Sequence, residues 1–211
     1  MRKVVIYGAG GHARELLFQL AEAKTAVSAL VEDFNSGRAA KGIPILNLEE
    51  ALARYSDAIW YVAIGNPFAR REISDKLKNL GIELGGFVSN RALVAPSAKI
   101  SHSAQVFAGT IISDDCIIED GVIVHFNCVV AHNVRIGAYS FIAPRVAIAG
   151  HVDIGHDAWL GVGASIKNGS WERPLSIGNQ AIIGAAACVI NDVPSNFVMI
   201  GVPARRLRKV E

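Results

Sequence analysis

The sequence predicts two domains of different class: an α/β domain over residues 1–86 and a parallel β-helix over residues 87–211. Three observations carry this. Strand-like and helix-like apolar patterns alternate up to about residue 86, an aliphatic residue returns at every sixth position from Val94, and a glycine cluster joins the first strand pattern to the first helical one.

In the first domain, "KVVIYG" is a short buried strand pattern, and "HARELLFQLAEA" repeats its apolar residues at helical spacing. "AVSALVED" reads as the second strand and "FNSGRAAKGIP" as a turn region. A helix at "LEEALARY", a strand at "AIWYVAIGN" and a helix at "PFARREISDKLKNLG" follow. Such alternation implies a small parallel sheet with covering helices. "IELGGFVSNRA" reads as the bridge to the second domain.

From Val94 the aliphatic positions run Ile100, Val106, Ile112, Ile118, Val124, Val130, Ile136, Ile142, Ile148, Ile154, Leu160 and Ile166. The beat resumes at Ile177, Ile183 and Val189 after an insertion spanning 167–176. Small or apolar residues such as Thr110, Cys116, Val122, Cys128 and Val146 stand two places before the next aliphatic. A hexad fits neither a heptad seam nor a two-residue alternation. It fits a coil of three flat sides, one six-residue unit per side, stacked so that the aliphatics form a continuous column. Position n then lies beneath n+18 at the inter-strand spacing of about 4.8 Å. His132 therefore sits beneath Gly150, with open space beside its ring and a backbone N–H nearby.

The chain has 211 residues, 51% of them hydrophobic and 19% charged, with a formal net charge of +2. These values permit a sizeable core and give no reason to expect nucleic acid or a membrane surface as partner. The basic run "RRLRK" reads as a solvated end. Cys116, Cys128 and Cys188 show no metal or redox spacing and read as small core thiols in a reducing compartment. The apolar run at the start is too short for a signal peptide or membrane span, so a soluble, cytoplasmic protein is expected.

"GAGGHA" fits G-x-G-x-x-[GA] through Gly8, Gly10 and Ala13, after a strand and opening a helix, with Glu32 and Asp33 at the end of the second strand. That context suits a phosphate at a helix N-terminus and a carboxylate for ribose. Fewer than 90 residues cannot hold two mononucleotide halves, which argues against a redox dinucleotide. The glycines could also serve only the tight turn.

Taken with "AHNVRIGAYSFIAPRVAIAGHV", "IYGAGGHAREL", "AIGNPFARRE" and "VMIGVPARRLR", the chain resembles the NeuD/PglD-like hexapeptide-repeat sugar acetyltransferases over nearly its full length. The resemblance implies a Rossmann-like nucleotide-sugar-binding domain joined to a left-handed β-helix. It also implies acetyl transfer from acetyl-CoA to a sugar, and a homotrimer with active sites between neighbours. His132, in a segment like H-[DE]-x-x-[IL]-G, corresponds to the general base, and Asn133 stands where an acidic residue is usual. Imidazole, with an ordinary pKa of about 6.5, suits proton removal near neutrality. The N–H of Gly150 would hold the oxyanion.

By the same resemblance, Gly10, Gly11, His12, Asp33, Gly65, Asn66 and His125 receive the nucleotide sugar. Phe141, Gly150, Gly161, Val162, Ala185, Arg205 and Arg206 receive acetyl-CoA, with the arginines on its phosphates. The expected acceptor is the 4-amino group of a UDP- or dTDP-activated 4-amino-4,6-dideoxy sugar in surface-glycan biosynthesis. "HFN" at 125–127 resembles the sialic-acid O-acetyltransferase side of the family, which makes O-acetylation the alternative. His125, His151 and His156 otherwise read as polar residues on outward faces. A zinc site on His151 and His156 lacks a third ligand at matching spacing, so no metal is expected. Trp171, in the insertion, is a candidate contact for a neighbouring subunit or for the adenine.

Overall fold

The computed structural model describes residues 3–33 and 37–210. The chain divides into two compact units, Met1–Gly86 and Phe87–Glu211.

In the first unit, β1 (Val4–Tyr7), α1 (Gly11–Glu22), β2 (Val27–Val31), β3 (Ala39–Ala40), β4 (Ile43–Leu46), α2 (Leu48–Tyr55), β5 (Ile59–Val62) and α3 (Pro67–Asn79) follow in order. The sheet runs β3-β4-β2-β1-β5, parallel except for the β3–β4 pair. Its strands are mostly apolar because helices cover them, and Val5, Ile6, Leu30 and Trp60, with Leu16 of α1, are fully buried. Asn47 and Glu50 form a reciprocal capping box that starts α2.

The turn region expected at 34–44 is corrected in part. Residues 34–36 lie outside the described residues, but the rest folds as the hairpin of β3 and β4, and β4 joins the sheet beside β2. Pro44 hid this strand from a propensity reading. It faces β3, while Ile45 and Leu46 make the parallel contact to β2.

The second unit is the left-handed parallel β-helix. Two-residue strands stack into three flat faces, and each strand pairs with the one eighteen positions on, as Val130 does with Ile148 and Ile142 with Leu160. The hexad aliphatics from Ile112 to Val189 form one continuous buried column. The second interior slot carries a hydrogen-bonding rule that the spacing alone does not announce. Thr110, Cys116, Cys128 and Ser140 each donate to the carbonyl fifteen residues on, those of His125, Ala131, Ala143 and Gly155, at 2.6, 3.0, 3.1 and 2.8 Å. Polar atoms inside the column are thereby satisfied. The residue before each slot turns the corner in the left-handed region, as Asn127, Asn133, Arg145 and His151 do with φ of 57°, 57°, 63° and 57°.

Three boundaries differ from the sequence reading. Phe87–Val88, assigned to the bridge, is already a strand of the β-helix, paired with Gln105–Val106. The insertion is shorter than 167–176, because Leu175–Ile177 is a strand whose partners are Val152–Ile154, a step of twenty-three instead of eighteen. The basic tail is a strand, Arg205–Lys209, paired antiparallel with Phe197–Ile200. Its side chains stay exposed, which is why composition alone read it as a free end.

Candidate active site

One edge of the β-helix carries residues 131–133, with 149–151 stacked above and the insertion above those. The His132 ring lies flat against Gly150. A Cβ built on Gly150 would stand 2.5 Å from Cε1 and 2.7 Å from Nε2 of the imidazole, so only glycine lets the ring occupy this place. Nδ1 of His132 lies 2.9 Å from Oδ1 of Asn133. An amide oxygen only accepts, so Nδ1 is the donor, and in the neutral ring the lone pair is then on Nε2. The N–H of His151 donates to the carbonyl of His132 at 3.1 Å. The N–H of Gly150 has no backbone acceptor among the described residues. A base with a free lone pair thus stands beside an unspent donor, the pair that acyl transfer requires.

The other edge of the same face carries His125, with Gly161 and Val162 two coils above it and Ala185 one coil higher. His125 is buried, which corrects the outward placement expected for it. Its ring stacks on Phe107 at 4.6 Å between centroids, with Phe126 at 4.8 Å and Phe141 at 5.9 Å, and its Nδ1 accepts the N–H of Phe126 at 3.0 Å. Phe141 in turn stacks on Trp159 at 4.3 Å, so it packs and does not hydrogen-bond. Gly161 meets the backbone of Ala185 so closely that a Cβ would fall 2.6 Å from the Ala185 nitrogen. Val162 is 51% exposed. Within one chain, His132 and Gly150 stand on one edge of the face, and Val162 and Ala185 on the other.

At the C-terminal end, Arg206 lies 3.7 Å over the ring of Phe197, and Arg205 donates to the carbonyl of Ala204 at 3.1 Å. Both guanidinium groups are exposed and anchored, a setting suited to anionic oxygen. His156, which pairs with Asp157 at 2.7 Å, stands on the third edge, away from His132.

In the first unit, a cavity of about 370 Å³ is lined by Tyr7, Gly8, Gly10, Gly11, His12, Glu32, Asp33, Ile64 and Gly65, among others. Gly8 has φ of 118°, and a Cβ there would lie 2.7 Å from the carbonyl oxygen of Ala63. Gly10 caps α1 without a side-chain bond, and open space faces both Gly10 and Gly11. The first amides of a twelve-residue helix therefore point into the cavity, a ready anion seat. Asp33 is held from two sides, by the Tyr7 hydroxyl at 3.3 Å and the Leu48 N–H at 3.0 Å. Burial first, and the Asp33 carboxylate second, push the Tyr7 phenol above its ordinary range.

Asn66 does not line this cavity. Its Oδ1 caps α3 by accepting the N–H of Ala69 at 3.0 Å. Sequence reasoning missed Arg70, fully buried, whose guanidinium donates to the carbonyls of Ile64 and Gly65 at 2.7 Å each and fixes that wall. An arginine on the inner face of a helical pattern was the available signal.

These features define a class, the hexapeptide-repeat acyltransferases, and residues 115–150 match the family model of the bacterial transferase hexapeptide, six repeats. Residues 3–77 match the model of the PglD N-terminal domain. The chain is 32% identical to the GDP-perosamine N-acetyltransferase of Escherichia coli O157:H7, across 97% of this chain and 96% of the relative. PerB from Caulobacter crescentus, solved in complex with CoA and GDP-perosamine, superposes with a TM-score of 0.88 at 32% identity over 98% of this chain and 97% of its own. The acetyltransferase domain of PglB from Neisseria gonorrhoeae, in complex with acetyl coenzyme A, gives 0.89 at 28% identity over 98% and 99%. The chain belongs to the NeuD/PglD-like family of sugar acetyltransferases, enzymes that draw their acyl group from acetyl-CoA. No helix among the described residues is long and apolar enough to cross a membrane.

Proposed function

We propose that the enzyme acetylates the 4-amino group of a nucleotide-activated 4-amino-4,6-dideoxy hexose, with His132 as general base. The observation that carries this is the His132 ring on Gly150, its Nδ1 taken by Asn133 and its Nε2 free. The amine nitrogen attacks the thioester carbon and gives its proton to Nε2. The carbonyl oxygen, now negative, takes the N–H of Gly150. Collapse breaks the C–S bond, and the imidazolium returns the proton to the departing thiolate, leaving an amide and CoA–SH. Asn133 orients the ring without adding charge. The cavity of the first unit seats the diphosphate on the α1 amides and the ribose on Asp33. Of the nucleotides, the two relatives that carry GDP-perosamine in their names favour GDP over UDP and dTDP.

The functional unit is a trimer in this reading. The face between the two edges presents Leu93, Ile111 and Val129, which are 68%, 40% and 44% exposed, in one vertical row. Three copies turning this face to a common axis bury the row and set the His132 edge of one copy beside the Val162 edge of the next. That joins the two half-sites which a single chain keeps apart.

The test is thiol release from acetyl-CoA against GDP-, UDP- and dTDP-4-amino sugars and free sialic acid, with His132→Ala alongside. Release with one nucleotide amino sugar is expected, and the variant should lose about 10²–10⁴-fold in kcat. Release only with sialic acid would replace this reading by O-acetylation. Full activity in the variant would remove His132 from the chemistry.

A further inference from the structure

The insertion is a built element. Its backbone is tied to the two residues beside the base: the N–H of Gly169 donates to the carbonyl of Gly150 at 3.0 Å, and the N–H of Leu175 to that of His151 at 3.0 Å. A Cβ on Gly169 would lie 2.3 Å from the His151 oxygen, so the loop presses directly onto this corner. Ser170 and Arg173 close the tip with two bonds, Ser170 N–H to the Arg173 carbonyl at 3.0 Å and Arg173 N–H to the Ser170 hydroxyl at 3.1 Å. The tip displays Trp171, 74% exposed. Its ring stands 5.6 Å from that of His151 at 90°, and His151 stands 5.0 Å from His132 at 82°. A large aromatic surface is thus locked in the open, two rings from the base.

The level of the loop says what passes it. In the proposed reaction the donor carbonyl is at Gly150, and the loop lies on the C-terminal side of that level. Asn168 and Asn191 are the residues stacked above Gly150 in the next two coils, and both line a cavity of about 380 Å³ with Lys167, Arg173, Ile190 and Asp192. Higher still, the turn before Arg205 lies over the Val162 end of the face, with the N–H of Cys188 bonded to the Gly201 carbonyl at 3.0 Å and the N–H of Ala204 to that of Cys188 at 2.7 Å. Three steps of about 4.8 Å separate the coil of Gly150 from this turn. In the proposed trimer the Val162 edge of the next copy, which carries Arg205 and Arg206 at its top, stands beside this edge, so a donor with its thioester at Gly150 and its phosphates at those arginines lays its linker along it.

We propose that Trp171 is a binding residue for the pantetheine arm of the acyl donor, packing on its methyl-bearing segment while Asn168 and Asn191 offer partners to its amides. The insertion is then a donor clamp particular to this coil. The proposal rests on the acetyltransferase reading, and the experiment separates the two. Binding of CoA and of pantetheine, which lacks the nucleotide, is measured by calorimetry to wild type, Trp171→Ala and Trp171→Phe, with His132→Ala as reference. Kinetics and sedimentation are run on the same proteins.

Trp171→Ala should weaken CoA and pantetheine alike by about ten-fold, as loss of a stacked indole does. The KM for acetyl-CoA should rise in step while kcat holds, and Trp171→Phe should recover most of both. His132→Ala should bind CoA normally and lose kcat; if it kept kcat, the base assignment alone would fall. Unchanged binding in Trp171→Ala, a rise confined to the acceptor KM, or a change confined to the assembly state would each overturn the clamp. A wild type that bound no CoA would overturn both readings.

Discussion

The two units hold a ligand-facing wall by opposite means. In the β-helix, translation along the stack places each side chain. His132 meets Gly150 because they are eighteen residues apart, and the same step set Val130 under Ile148. In the α/β unit no such rule operates. Its cavity wall depends on single pins, the Arg70 guanidinium on two carbonyls and the Gly8 turn against Ala63. The difference teaches that a repeat distributes the work of positioning over many equivalent bonds, while an open sheet concentrates it in a few residues. Damage should follow the same division: chemistry lost without stability in one unit, stability and binding lost together in the other.

Gly150→Ala is the largest test of that division. The added Cβ must displace the His132 ring, and a misplacement of about 1 Å costs on the order of 10²-fold in kcat. The melting temperature should stay near that of wild type, because the ring faces out and can turn away. A variant that melts early with kcat preserved would show that Gly150 serves the coil and not the base.

Arg70→Met should do the reverse. Two charge-assisted bonds are lost and two carbonyls are left without their donor, a cost of about 2–4 kcal/mol. Nucleotide-sugar binding should weaken, with CoA affinity intact. Equal loss of both affinities would mean that the units do not fail separately.

The smallest effect concerns the interior thiols. Burial pushes the Cys116 thiol up and that of Cys128 to about 11. Neither should react with iodoacetamide at pH 8 in the folded protein, and both should react on unfolding. Because the folded value of Cys128 is raised, its contribution to stability is whole below the ordinary thiol pKa of about 8.5 and is lost as pH rises through 11. Rapid labelling of either in the native state would show that the column opens locally.

The comparison explains what could be read without coordinates. The hexads located Gly150 over His132 because a period is a length. The strand-to-helix glycines located the anion seat because few other residues make that turn. His125 was misplaced because period alone cannot tell an outward position that stays open from one filled by Phe107, Phe126 and Phe141. Asn66, expected at the nucleotide sugar by resemblance, spends its side-chain oxygen on capping α3, a contact that spacing does not encode. Trp171 was visible as an exposed aromatic in an insertion, but its approach to His151 depends on bonds from Gly169 and Leu175 across a non-repeating loop.

The sequence by itself determined the two domain classes and the register of the coil, which sets His132 beneath Gly150, since each follows from periodicity and local backbone chemistry. Only the tertiary structure decided that Nδ1 of His132 is held by an amide, that Arg70 pins the wall of the cavity in the first unit, and that His132 and Val162 stand on two edges of one face. Those relations join residues through space at separations no period encodes, and they are fixed by packing.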